Sequence, residues 1–298
     1  MLKNRIQKRF KHLCKWAKRL NISAFRVYQN DMTEYPLILD WYDGDAVMWR
    51  YPDTADVNEQ VLEGLGITPD HLFVKERHVR KEGVQYEKLD HRHLIKTIVE
   101  QDLKFEINLT DYVDVGLFLD HRHHRQAIKK MASGKRVLNL FAYTGSFTCY
   151  ALAGGAIETA TVDLSKVYGD WTRRNFALNG FSEGPAHRIF SQDSFDYLKY
   201  AAKKKKQFDI IVCDPPTFSR SKKMTGWFAV DEDYPRLLAA CEAVLAPGGL
   251  LLFSTNSKKF RLNAEKIPNL KAKEKTTPHP SEDFRASIPH RCWYMIKP

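Results

Sequence analysis

Acidic residues are missing from residues 1–20 of this 298-residue chain, and cysteines nowhere stand in Cys-x-x-Cys spacing. The five cysteines, Cys14, Cys149, Cys213, Cys241 and Cys292, are odd in number and widely scattered. This excludes a disulfide framework, argues against a zinc site and points to a reducing, cytoplasmic setting. No run of eighteen apolar residues occurs, so neither a spanning helix nor a membrane partner is expected. The start of the chain also lacks the apolar segment of a secretory signal. Glycine is scarce where a dinucleotide site needs it. The stretch NLFAYTGSFT, residues 139–148, has the outline of a nucleotide-binding turn but carries Gly145 alone. A dinucleotide fingerprint has three glycines, and bulky Phe141 and Tyr143 occupy positions that such a site keeps small. NAD is thereby disfavoured, whereas a nucleoside with a short cationic tail still fits.

What the chain does have is positive charge, 47 Lys and Arg against 36 Asp and Glu, for a formal net charge of +11. A surplus of this kind gains affinity for polyphosphate by releasing condensed counterions. It is concentrated in residues 1–20, which hold eight Lys or Arg with Ile6, Phe10, Leu13, Ala17 and Leu20 at helical spacing. That spacing predicts a basic amphipathic helix with one face packed down. Its Lys content, and the absence of Ser before Ser23, set it apart from a transit peptide. Further clusters are HRHHR at 121–125, KKKK at 203–206 and RSKK at 220–223. Any one of them is compatible with a solvated surface; together they favour a nucleic-acid partner.

Two rhythms divide the chain. Residues 25–52 alternate apolar and polar positions on either side of Asp43-Gly44, a hairpin signal. Strand-like segments LFVKERH, VQYEKLD and FEINLTDY follow, so residues 1–115 are expected to form a small α+β domain for RNA or substrate binding. From 116 to 298, candidate strands at 137–141, 158–163, 187–191, 209–213 and 250–254 alternate with helices beginning near 145, 165, 194 and 233. That alternation predicts an α/β fold with a parallel sheet and a ligand at the strand carboxyl ends.

Each predicted strand end carries a chemical signal. Gly145 marks a close approach, with backbone N–H groups of the turn and the next helix facing the ligand. Asp163 ends the second strand eighteen residues later, placed to accept from ribose hydroxyls. Asp193, in SQDSFDYL, is placed to meet an adenine edge. Asp214, in CDPPTFS, precedes two prolines that make a rigid turn. Helix N-caps are the competing reading for Asp163 and Asp193. Phe218, Trp227, Phe228 and Tyr234 are candidates to stack on an extruded base, with core packing as the alternative. His121, His123 and His124 lack a convincing ligand spacing, so no metal is expected.

The ordered set NLFAYTG, TVDLS, QDSFDYL, DPPTFS and LAPGGLLLFSTNS resembles the class I S-adenosylmethionine-dependent methyltransferases. Within them the chain is similar over its length to the RlmK-like family, the guanine-N7 half of the bifunctional large-subunit rRNA methyltransferases RlmKL. INLTDYVDVGLFLDHRHHR is the most specific segment. The resemblance implies a seven-stranded, mostly parallel Rossmann-like sheet preceded by the small domain. It implies S-adenosylmethionine as cofactor and 23S rRNA, or a large-subunit precursor, as substrate. By resemblance Asn139, Phe141, Tyr143, Thr144, Gly145 and Ser146 line the methionine end. Asp163, Leu164 and Ser165 meet the ribose, and Gln192, Asp193 and Ser194 the adenine. Phe118, Asp120 and Arg122 close the pocket, Asp214 also touches the cofactor, and Asp214, Pro215, Pro216 and Thr217 face the reacting base. Because the chain matches only one half of the bifunctional proteins, RNA targeting is assigned to Lys3, Arg5, Lys8 and Arg9, and to Arg125, Phe218, Arg220, Lys222, Lys223 and Trp227.

The residues themselves constrain the reaction. Methylation at cytosine C5 needs a thiolate to activate the ring, yet Thr217 follows Asp-Pro-Pro and residues 254–257 read STNS. Cys213 precedes Asp214 on an apolar strand and is expected in the core. Guanine N7 has a lone pair and no proton, so it needs alignment rather than a general base. Guanine N2, cytosine C5 and a non-catalytic RNA-binding role stay open as alternatives at this level.

Overall fold

The structure is a computed structural model that describes residues 1–52, 55–76, 92–220, 227–275, 281–284 and 290–298. It comprises two compact units: Met1–Asp120 with Pro278–Ser287, and His121–Thr277 with Ile288–Pro298. The sequence-based boundary after residue 115 thus compares with Asp120, and a short late segment returns to the first unit.

In the first unit, α1 (Leu2–Arg19) is followed by β1 (Ala24–Gln29), β2 (Leu37–Tyr42) and β3 (Asp45–Arg50). Then come α2 (Asn58–Leu65), β4 (Leu72–Glu76), β5 (Ile95–Glu100) and β6 (Leu103–Asn108). β1 to β4 form one four-stranded sheet in chain order, and β5 and β6 pair as a hairpin. The β2–β3 turn is Asp43-Gly44, both with positive φ (50° and 101°), which matches the twist of the flanking strands. α1 packs Leu2, Ile6, Leu13, Trp16 and Ala17 against a core with Phe25, Val27, Leu39 and Met48. Leu20, expected on that face, is exposed because it caps the helix end instead of continuing it. LFVKERH supplies β4, VQYEKLD lies outside the described residues, and β5 is a strand that the sequence reading did not mark.

The second unit runs α3 (Arg122–Met131), β7 (Arg136–Leu140), α4 (Ser146–Ala153), β8 (Glu158–Asp163), α5 (Lys166–Leu178) and β9 (His187–Ser191). It continues with α6 (Ser194–Lys203), β10 (Phe208–Cys213), β11 (Phe218–Arg220), β12 (Trp227–Ala229), α7 (Val230–Val244), β13 (Leu245–Thr255), β14 (Lys271–Glu274) and β15 (Arg291–Ile296). Seven strands join in the order β14-β15-β13-β10-β7-β8-β9. The pairs from β9 to β13 are parallel, and β15 runs antiparallel to both its neighbours. Its parallel part is the sheet expected from the alternation of strands and helices, and the whole is the seven-stranded Rossmann-like sheet that the resemblance implies. Strands flanked by helices on both faces read as continuous apolar runs, and β10 (FDIIVC) and β13 do so. One face buries Leu138, Leu140, Ile211 and Phe253 under α6 and α7; the other buries Val137, Val212 and Leu252 with Ile128 of α3 and Phe147 of α4. Among the described residues, no helix is long and apolar enough to cross a membrane.

Candidate active site

From β7 the chain proceeds outward in both directions, to β8 and β9 on one side and to β10 and β13 on the other. A crevice opens beyond the strand carboxyl ends at such a reversal point. Register brings those ends level: Leu140 pairs with Val162 and with Cys213, and Asp163 with Ser191. Asp163, Asp193 and Asp214 therefore share one rim. With neighbouring strands about 4.8 Å apart, the step from β9 to β10 is roughly 14 Å, enough for a nucleoside and a short tail.

The turn after β7 is unusual in its backbone. Phe141, Tyr143 and Gly145 all have positive φ (52°, 51° and 74°). Left-handed non-glycine residues cost about 1–2 kcal/mol each and persist where surroundings enforce them. Here they do: Tyr143 N–H donates to Asp163 Oδ2 at 2.9 Å, Asn175 Nδ2 donates to the Thr144 carbonyl at 2.9 Å, and Gly145 N–H donates to the Ala142 carbonyl at 2.9 Å. Two expectations are corrected. The amides of Ala142, Tyr143 and Gly145 are spent inside the protein, so the turn is a rigid shelf and these three do not donate to a ligand. The close approach at Gly145 is to α5, since an added Cβ would lie 2.4 Å from Thr172 Cγ2. Asn139 is buried beneath the shelf, donating to Thr148 Oγ1 at 3.1 Å, and Thr148 in turn meets Thr161 Oγ1 at 2.9 Å. Thr144 is buried, while Phe141, Tyr143 and Ser146 are half-buried.

Asp163 clamps two turns at once, because its other oxygen accepts from Ser165 N–H at 2.9 Å. Ser165, not Asp163, is the N-cap of α5; Leu164 between them is half-buried. Burial pushes the Asp163 carboxyl up to about 6, against the lowering effect of the Ser165 and Tyr143 amides. Asp193 is the N-cap of α6, its Oδ1 accepting from Phe195 N–H at 2.8 Å and Asp196 N–H at 3.2 Å. The capping alternative is therefore realised at Asp193, and Oδ2 is left out of that cap. Gln192 beside it is half-buried and Ser194 buried.

Asp214 leaves β10 half-buried, with Oδ1 accepting from Ser254 Oγ at 2.6 Å and Oδ2 lying 3.4 Å from His121 Nε2. His121 stacks on His290 with ring centroids 3.9 Å apart. Sequence reasoning missed Ser254 and His290 as supports, since only the sheet register brings them beside the Asp-Pro-Pro turn. Pro215 is buried, Pro216 half-buried and Thr217 exposed. Beyond Thr217, Phe218 (39% exposed) and Trp227 (53%) stack across the β11–β12 pair at 6.0 Å. Phe228 and Tyr234 are corrected to core residues: Phe228 packs on Phe141 and Tyr234 on Phe260. Cys213 is fully buried beside Cys241, and burial holds its thiol well above the ordinary range.

The basic candidates divide as sharply. Lys3 pairs with Glu63 at 2.9 Å and Arg5 with Asp31 at 3.3 Å. Arg9 donates to the carbonyls of Val27 and Asp283, whereas Lys8 is exposed. Arg125 is corrected: it is fully buried over Tyr150, so it is a structural cation and not a surface phosphate contact. Arg122 is buried on α3. Phe118, exposed, and Asp120, half-buried, end the first unit's main segment. Lys222, Lys223 and the Arg220 side chain lie outside the described residues.

A mostly parallel sheet with a strained shelf, a clamped acid and a capped acid along one rim is the layout of a nucleoside-binding α/β fold. A family model described as S-adenosylmethionine-dependent methyltransferase matches residues 58–284. The chain belongs to that family, and S-adenosylmethionine is its cofactor. It is 41% identical to ribosomal RNA large subunit methyltransferase K of Neisseria meningitidis serogroup B, over 97% of this chain and 85% of that protein. It is 40% identical to ribosomal RNA large subunit methyltransferase K/L of Hahella chejuensis, over 99% of this chain but 42% of that longer protein. A solved methyltransferase from Streptococcus mutans shares the fold, with TM-score 0.79 at 22% identity, over 99% of this chain and 80% of that one. The rim fits the cofactor: Asp163 keeps lone pairs beyond its two backbone bonds, and Asp193 uses one oxygen as a cap.

Proposed function

We propose that this protein methylates N7 of a guanosine in large-subunit (23S) ribosomal RNA, in the cytoplasm. The observation that carries the reading is the Asp214-Pro215-Pro216-Thr217 turn, with its acid pinned by Ser254 and an exposed Phe218–Trp227 pair beside it. The names of its relatives, rRNA large subunit methyltransferases, support the substrate class.

In this reading Asp163 accepts from the ribose hydroxyls and Asp193 Oδ2 from the adenine amino group, while the Phe141–Gly145 shelf bounds the methionine end. When bound, S-adenosylmethionine supplies an electrophilic methyl on its sulfonium. Guanine N7 carries a lone pair and no proton, so it would take that methyl group without a general base. The protein's task is then to orient the base and to offset the positive charge that develops on the purine. Asp214 does both by facing the purine and accepting from N1–H and N2–H, with Ser254 holding its rotamer. Phe218 and Trp227 give the extruded base a stacking surface. Cytosine C5 is disfavoured because Cys213, the thiol next to Asp214 in the chain, is fully buried in the core.

The experiment is to incubate the protein with methyl-labelled S-adenosylmethionine and unmodified large-subunit rRNA, digest to nucleosides and identify the product by mass spectrometry. Label in 7-methylguanosine is the expected result. Label in N2-methylguanosine or 5-methylcytidine keeps the enzyme class and overturns the N7 assignment.

A further inference from the structure

A row of positive charge outside the rim lies on the far edge of the large sheet. β14 reads Lys-Ala-Lys-Glu and continues into Lys275. Side chains two apart on a strand share a face, so Lys271, Lys273 and Lys275 form one row about 13 Å long. All three are exposed, and all three line a cavity of about 480 Å³ together with Lys135, from the turn between α3 and β7, and Tyr294 of β15. Asp209 is the only carboxylate in that lining, and it is committed to Arg136 at 3.0 Å. The neighbouring Glu274 is committed to Arg291 at 2.8 Å. Among the described residues, no carboxylate forms an ion pair with any of the three β14 lysines.

The row also has a direction. Lys271 is level with Ile296, and through it with Leu250 at the foot of the sheet. Lys275 N–H donates to the Cys292 carbonyl, and Cys292 pairs with Ser254, the residue that holds Asp214. The lysines therefore climb from the cavity to the level of the Asp-Pro-Pro turn, three strands away from it. A lone small anion would be held by convergent donors; three cations at equal steps along an extended strand suit a ligand whose charges repeat.

We propose that β14 and the cavity at its foot bind the phosphodiester backbone of the substrate RNA. It takes from the proposed function only the identity of the polyanion. Neutralising a phosphate on a single strand contributes about 0.7 to the slope of log K against log salt, so three lysines account for a slope of about 2.

The test compares the full chain with the triple variant Lys271→Gln, Lys273→Gln, Lys275→Gln, and with the charge-keeping Lys→Arg triple. Fluorescence anisotropy with labelled oligouridylate and with an rRNA transcript is read between about 50 and 200 mM KCl. The Gln triple is expected to bind RNA at least about tenfold more weakly at low salt, with a slope smaller by about 2, while the Arg triple matches the parent. Cofactor affinity, measured by calorimetry, stays unchanged in both. RNA affinity and slope equal to the parent's overturn the proposal. Loss of cofactor binding in the Gln triple signals misfolding, and Lys273→Gln alone then decides it by lowering the slope by about 0.7 or leaving it unchanged. Since anisotropy needs no methyl transfer, a parent protein that fails to make 7-methylguanosine overturns the function without touching this result.

Discussion

At the scale of single residues, Asp163 holds the most informative number. Its carboxyl is raised to about 6 from 3.8 by burial, so the folded protein keeps this proton to higher pH than the unfolded chain does. Ionisation at this site therefore costs stability, with the cost absent below about pH 3.8, growing up to about pH 6 and full above it. Donors on a ribose favour the ionised form, so the sign for binding is opposite. Calorimetry should find S-adenosylmethionine affinity flat above about pH 6 and falling towards tenfold per unit below it. Asp163→Asn should bind more weakly and lose the pH dependence; a parent affinity constant down to pH 5 removes Asp163 from the ribose contact. Asp214→Asn should keep cofactor affinity within about twofold and lower kcat by roughly 10²-fold, the scale of a lost electrostatic group. Unchanged turnover in that variant takes Asp214 out of the mechanism. At Gly145 a methyl group meets Thr172 in a left-handed backbone, so Gly145→Ala should lose about 1–3 kcal/mol in denaturant unfolding.

The elements explain why some single-residue readings failed. Phe218 and Phe228 stand ten residues apart near the same turn, yet the β11–β12 pairing sets Ser219 opposite Phe228 and Arg220 opposite Trp227. Alternation then leaves Phe218 and Trp227 exposed and turns Phe228 into the core, a choice the aromatic composition could not make. Trp227→Ala should raise KM for RNA by about tenfold, the scale of one stacked base, with cofactor affinity unchanged; steady-state kinetics against each substrate separates the two. Helix α3 gives the parallel case. HRHHR looks like surface charge in the sequence, but the helical period turns His121, Arg122, His124 and Arg125 inward.

Across the whole molecule, the surplus of +11 predicts a strong salt response. RNA binding should weaken by an order of magnitude or more between about 50 and 200 mM KCl, while cofactor binding changes little. Anisotropy and calorimetry on the same preparation check the contrast, and a salt-insensitive RNA affinity argues against a phosphate-led interface. Part of the charge that the sequence placed in residues 1–20 is spent inside the protein. Lys3 and Arg5 are paired in the first unit and Arg9 serves two carbonyls there, whereas the β14 lysines, on a strand that the sequence did not mark, form no ion pair among the described residues.

The alternation of apolar strands and amphipathic helices determined the second unit's sheet, because its period is local and each strand end carries its own turn chemistry. The sites of Asp163, Asp193 and Asp214 at those ends were legible for the same reason. Tertiary structure decided which acid caps a helix and which clamps two turns, what Gly145 makes room for, and that Ser254 and His290 support Asp214. It also decided that Arg125 is buried and that three β14 lysines share a cavity with Lys135. These depend on contacts across strand registers and between distant elements, and no local period in the chain encodes them.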